Sequence, residues 1–200
     1  MVLIYTVPSQ PTRKRAYVWR ELKRLGAVYL RDGVALLPQR QDLEPRLREV
    51  DDRIRGYEGT SYLLLSIDFP SGSDDTLVQA FQHERRQEYR ELHHAGVRFL
   101  RDVLADVDAD DFGFPDVDKL DSELARLHRW YEQIQARDYF GAPGSDITRD
   151  ILEKCDRAFE HFAGTASERQ ENDGSPPDDV FDRLGGPSSS PQAVPDDFPL

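Results

Sequence analysis

Residues 2–68 read VLIYTVPSQPTRKRAYVWRELKRLGAVYLRDGVALLPQRQDLEPRLREVDDRIRGYEGTSYLLLSID, and this stretch decides the fold. Val2 to Val7 is a short apolar run rich in β-branched residues and stopped by Pro8, the pattern of a buried strand followed by a loop. From Thr12 the period changes. Val18, Leu22 and Leu25 fall on one helical face, Thr12 stands where a cap belongs, and Gly26 closes the run. Ala27 to Leu30 and Val34 to Leu37 are two more apolar runs joined through the Asp32-Gly33 turn pair, a hairpin signal. Leu43, Leu47, Val50 and Ile54 recur at steps of four, three and four, one buried stripe on a second helix from Leu43 to Tyr57 that Gly59 ends. Thr60 to Asp68 is a fourth strand. The predicted order over residues 1–69 is β-α-β-β-α-β, a ferredoxin-like α+β domain. Its first and last strands are apolar on both faces. The sheet face away from the helices therefore needs a cover, from the C-terminal helices or from a second subunit.

Beyond this unit, Pro70 to Asp75 (PSGSDD) reads as a linker over residues 70–75. A long helix is expected from Thr76 to Asp106, then an acidic loop (DADDFGFPD). A second helix follows from Val117 to Asp138, where Val117, Leu120, Leu124, Leu127, Tyr131 and Ile134 alternate three and four apart. That seam is most simply one side of an antiparallel helix pair. The turn Tyr139 to Gly144 leads to a third helix, Ile147 to Phe162, so residues 76–163 form a three-helix segment. Residues 164–200 are rich in Ser, Pro, Asp and Gly and read as a disordered acidic tail.

The chain has 200 residues and a formal net charge of −12, but the charge is segregated. Residues 1–60 hold 12 Arg and Lys against 8 Asp and Glu, a balance of +4, whereas Thr165 to Leu200 holds 2 against 8. A basic head keeps anion binding open to the first unit alone. Cys155 is the single cysteine, which rules out an internal disulfide and suits a reducing compartment. The first residues lack a signal-peptide pattern, and no run reaches the roughly 18 apolar residues that span a bilayer. A cytoplasmic protein without membrane contact is expected.

The first helix carries the chemistry. Arg13, Tyr17, Arg20 and Arg24 share a face opposite Val18, Leu22 and Leu25, with Lys14, Arg15 and Lys23 flanking them. Guanidiniums offer paired donors to phosphate oxygens, and an aromatic among them suits a nucleic-acid surface. The plainer reading is a solvated helix face. Elsewhere the signals point away from catalysis. The end of the first strand (Tyr5-Thr6-Val7-Pro8) has no carboxylate, which disfavours two-metal phosphodiester chemistry. Glu91-x-x-His94, with Glu88 one turn before it, is a single half of a di-metal bundle motif that needs two. His128 and Glu132, His93 and His161 read as exposed polar residues. Cys155 lies on the stripe of Ile147, Ile151, Ala158 and Phe162 and reads as a core thiol. The Tyr139–Gly144 turn reads as a helix connector, with anion binding at the following N-terminus as its alternative. No enzyme, metal site or cofactor is expected.

Two separated stretches carry a family resemblance: Tyr5 to Pro38 (YTVPSQPTRKRAYVWRELKRLGAVYLRDGVALLP) and Arg137 to Gly144 (RDYFGAPG). In the first, the Pro-x-x-Pro loop, the Val-Trp-Arg-x-Leu helix centre, the Leu-Gly-Ala bend and the Leu-Pro strand end all match. Together they resemble the N-terminal domain of ChrB, the chromate-resistance regulatory protein, over roughly residues 1–162. The region is also similar to the ferredoxin-like part of the phenylacetate-pathway repressor. The resemblance implies a cytoplasmic transcriptional regulator that binds DNA and responds to the chromate oxyanion; such a regulator is expected to form a homodimer. It makes Arg13, Arg15, Arg20, Lys23 and Arg24 the phosphate contacts. The second, chromate-resistance domain of full-length relatives has no counterpart after the helical segment. A separately encoded partner carrying it is therefore expected, and a protein-interaction module without DNA contact is the alternative function.

Overall fold

A computed structural model describes residues 1–69, 73–109 and 112–173. The first unit has two layers. Strands β1 (Val2–Thr6), β2 (Val28–Arg31), β3 (Val34–Leu36) and β4 (Thr60–Leu64) form one sheet in the order β2-β3-β1-β4. All three pairings are antiparallel, and Leu3 stands opposite Ala35 on one side and Leu63 on the other. Side chains alternate across a strand, so Leu3, Tyr5, Ala35 and Leu63 face the same layer. There they meet Val18, Leu22 and Leu25 from the first helix and its end, and Leu47, Val50 and Ile54 from the second. These helices are α1 (Thr12–Arg24) and α2 (Glu44–Gly56).

Both helix ends are made differently from the sequence expectation. Thr12 is the first helical residue of α1, and Pro11 takes the cap position without a side-chain hydrogen bond. At the end of α2 the left-handed residue is Glu58 (φ +62°), not Gly59. Gly59 is needed for closeness instead: a Cβ there would stand 2.4 Å from the carbonyl oxygen of Thr6. Strand β4 also stops at Leu64, four residues short of the expected end.

Among the described residues, the opposite sheet face is covered only at one end. Val2, Val28 and Leu36 pack against Phe81, Leu77 and Phe140, with the Phe81 and Phe140 rings 5.1 Å apart. Ile4, Leu30, Tyr62 and Leu64 remain exposed. Of the two covers the sequence allowed, the C-terminal helices supply part and leave this strip open.

Helices α3 (Ser73–Asp108), α4 (Phe114–Gln135) and α5 (Ser145–Asp173) pack each on the other two. The expected seam holds: Leu120, Leu124, Leu127, Tyr131 and Ile134 are buried with Leu92, Phe99, Cys155 and Phe162. It serves a three-helix bundle and not one antiparallel pair. The α5 stripe departs at its start, since Ile147 is 64% exposed and Thr148 points inward. The Thr148 hydroxyl donates to the carbonyls of Gly144 (2.7 Å) and Tyr89 (3.1 Å), which satisfies it in the core. Nor does α5 stop at Gly164. It continues to Asp173, with Ala166 buried and the Arg169 guanidinium 4.2 Å from the Phe112 ring centre. The linker residues 70–72 and the tail residues 174–200 lie outside the described residues, and residues 73–75 open α3.

The bundle joins the sheet unit at the end of α1. Tyr139 donates its hydroxyl to the Leu25 carbonyl (2.7 Å), and Arg137 donates from Nη1 to the Lys23 carbonyl (3.2 Å). Gly26 makes the approach possible. It has φ +76°, and a Cβ there would lie 3.0 Å from both the Arg137 Cβ and the Tyr139 ring. Beneath sits Arg85, buried, which donates from Nη2 to Glu88 Oε1 (2.9 Å). Arg137 Nη2 is 3.2 Å from the other Glu88 oxygen. One carboxylate thus balances two guanidiniums, and burial holds the Arg137 pKa below its ordinary value.

Three stability effects follow from this packing. Tyr139→Phe loses one hydrogen bond and is expected to lower unfolding free energy by about 1 kcal/mol. Glu88→Ala leaves two cations without their counter-charge and is expected to lower it by about 3 kcal/mol. Urea titrations of both variants read the order directly, and equal losses would contradict the pairing. Burial pushes the Cys155 thiol up to about 12. Because the folded pKa lies above the ordinary thiol value near 9, stability from the neutral thiol is intact below pH 9. It falls as pH rises toward 12. At pH 8 a thiol reagent is expected to label Cys155 only after denaturation, and fast labelling of the native chain would contradict its burial.

Candidate nucleic-acid interface

Helix α1 is fixed from below. Val18 and Leu22 are fully buried and Leu25 nearly so, which leaves Arg13, Arg15, Ala16, Trp19, Arg20 and Arg24 exposed on the remaining circumference. The expected basic stripe is divided by its neighbours. Tyr17 turns toward α2, where its ring stands edge-on to Tyr57 (centroids 6.1 Å apart) with the Arg53 guanidinium 5.8 Å from its own centre. Lys14 points the same way, its ammonium 5.4 Å from the Tyr57 ring centre. Lys23 turns to the bundle and forms a 2.7 Å ion pair with Glu84. Arg24 pairs with Glu21 at 2.9 Å on the surface. Such an exposed pair holds by well under 1 kcal/mol, so Arg24 is readily released. Arg13, Arg15 and Arg20 are exposed and, among the described residues, have no ion-pair partner.

Trp19 joins this face and was not among the expected contacts. Its side chain is 52% exposed. Two residues turn a helix by about 200°, so Trp19 lies on the flank away from Tyr17 and α2, one turn above Arg15 and beside Arg20. The available signal was a tryptophan off the Val18, Leu22, Leu25 stripe.

The groove between α1 and α2, about 430 Å³, is lined by Tyr17, Glu21, Arg46, Glu49, Arg53 and Tyr57 among others. Its acids offset its bases, so it has no clear preference for an anion. The exposed positive charge of the first unit therefore lies on the outer circumference of α1 and not in this groove.

The remaining candidates have structural employment. Glu88 holds Arg85 and Arg137, while Glu91 and His94 are exposed. His128 Nε2 lies 2.6 Å from Asp156 Oδ1, linking α4 to α5. His93 is half-buried, with its Nδ1 enclosed, where the sequence suggested a surface residue. Among the described residues no three His, Cys, Asp or Glu side chains come together as a metal site would need. In the Tyr139–Gly144 turn, the Ala142 N–H donates to the Asp138 carboxylate (2.9 Å), which also accepts from the Tyr89 hydroxyl (3.2 Å). That arrangement is a connector locked by its own side chains. No described helix is long and apolar enough to cross a membrane.

The search of curated proteins and the search of solved structures returned no match. The family model described as protein ChrB, N-terminal, matches residues 15–172, from the first turn of α1 to the end of α5. It takes in both the Leu25-Gly26-Ala27 bend and the Arg137–Gly144 turn that meet at the junction, and the chain belongs to the ChrB N-terminal family.

Proposed function

We propose that this protein is a cytoplasmic, non-enzymatic regulator of chromate resistance that binds DNA through the outer face of α1. The observation that carries the reading is that the guanidiniums of Arg13, Arg15 and Arg20, exposed on one helix, have no ion-pair partner among the described residues. Nearby acids have neutralised other cations of the helix, as in Lys23 with Glu84, yet among the described residues these three have no such partner. An excess of +4 over residues 1–60, within a chain of −12, supports the same assignment. We read the first unit as a ferredoxin-like domain, a reading that the β2-β3-β1-β4 antiparallel order supports. A homodimer would present two α1 helices to one duplex, and the chromate oxyanion is the effector in this reading.

A second reading draws on a different surface. Ile4, Leu30, Tyr62 and Leu64 form an exposed apolar strip on the open sheet face. It suits a protein-interaction module that acts with a separately encoded chromate-resistance domain.

The two readings separate in an electrophoretic titration of the protein against the DNA upstream of its own gene. A specific shift whose affinity falls steeply with salt is expected. Replacing Arg13, Arg15 and Arg20 together by Ala should flatten the slope of log affinity against log salt by about 2 to 3, since each lost phosphate contact removes roughly 0.9. A triple variant with the wild-type slope would remove α1 as the interface. No shift at low salt would favour the interaction module.

A further inference from the structure

We infer that Trp19 is the base-contacting residue of this interface, its indole stacking on or wedging between nucleobases while Arg13, Arg15 and Arg20 hold the flanking phosphates. The inference rests on the DNA-binding reading and deepens it, because guanidinium contacts to phosphate give position and affinity but no contact with the bases.

The first support is that Trp19 has no partner of its own. Lys14, Lys23, Arg40, Arg53 and Arg169 each lie over a Tyr or Phe ring. Tyr17, Phe81, Tyr89 and Phe112 are each paired with another ring. Among the described residues the Trp19 indole has neither kind of neighbour, and it is 52% exposed. Leaving a large apolar ring half in water forgoes burial that the fold achieves elsewhere, as it does for Trp130, which packs against the bundle core.

The second support is what surrounds it. Arg15 and Arg20 bracket Trp19 over about 7.5 Å of helix axis, and among the described residues neither has an ion-pair partner. An aromatic protein partner would meet three uncompensated positive charges here. A nucleic acid supplies a π-face for the indole and phosphates for the guanidiniums in one ligand. Charge complementarity therefore selects a nucleic acid over an apolar protein surface.

Base stacking and phosphate neutralisation leave different signatures, and the test uses that difference. Full-length wild type, Trp19→Ala and Trp19→Phe are titrated with upstream DNA at several salt concentrations, with circular dichroism as a check on folding. Wild-type tryptophan emission is followed in parallel. Trp19→Ala is expected to bind about 5- to 150-fold more weakly with an unchanged salt slope, since the lost contact is uncharged. Trp19→Phe should recover part of the affinity because a smaller ring remains. Wild-type emission should be quenched on binding, and the Trp19→Phe variant, which reports Trp130 alone, should show no such quenching. Wild-type affinity in Trp19→Ala, or emission indifferent to DNA, would overturn the role of Trp19 and leave DNA binding by α1 standing. A flattened salt slope in Trp19→Ala would also overturn it, by showing that the ring only positions the arginines. A concentration-dependent blue shift without DNA would assign the indole to a dimer contact instead. Absence of any binding by wild type would defeat the DNA-binding reading itself and this inference with it.

Discussion

The docking of the Arg137–Gly144 turn on the end of α1 is the constraint from which the rest of the arrangement follows. A helix leaves its last carbonyls without intrahelical partners. Here two of them are satisfied from 114 residues away, by Tyr139 on Leu25 and Arg137 on Lys23. The approach needs a residue without a Cβ and with a left-handed backbone, and Gly26 supplies both. Because the donors belong to the bundle, α1 cannot keep these bonds and change its angle to the bundle. The buried group of Arg85, Glu88 and Arg137 lies under the same contact and makes it intolerant of lost charge.

That junction also decides which cations of α1 are free. It brings Glu84 of α3 beside Lys23, and α2 offers Tyr57 to Lys14 and Tyr17. What remains outward is Arg13, Arg15, Trp19 and Arg20. A strongly acidic protein thereby keeps one small positive surface with an aromatic in it. Two of the acids near it, Glu21 and Glu84, are already engaged, and charges farther off are weakened by a Debye length near 8–10 Å. The partial cover of the sheet has the same origin. The start of α3 reaches Val2, Val28 and Leu36 but not Ile4, Tyr62 or Leu64.

Much of this was legible from residue order. Each predicted helix and strand exists, because the period-four and period-two patterns of Leu, Val and Ile report burial, and burial is what sets the element. Ends were less legible, for reasons that differ by site. Gly59 marked the end of α2, yet the left-handed turn falls on Glu58, while the missing Cβ at Gly59 admits the Thr6 carbonyl. Ile147 fitted the apolar stripe of α5, but Thr148 is the buried residue, since the Gly144 and Tyr89 carbonyls can accept from its hydroxyl. The extension of α5 beyond Gly164 depends on the Phe112 contact with Arg169 and the burial of Ala166, neither of which a local composition reveals.

The sequence by itself determined the β-α-β-β-α-β order, the buried stripes, the core thiol and the location of positive charge on the first helix. These follow from local spacing, which survives whatever the rest of the chain does. Only the tertiary structure decided which members of that charge cluster are neutralised, that Tyr17 belongs to α2 and Trp19 to the solvent, and that the RDYFGA turn is a clasp on α1. Those outcomes depend on groups far apart in the chain meeting in space, as Lys23 meets Glu84 and Leu25 meets Tyr139. Spacing along the chain sets which face of a helix a side chain occupies, but packing sets what that face meets.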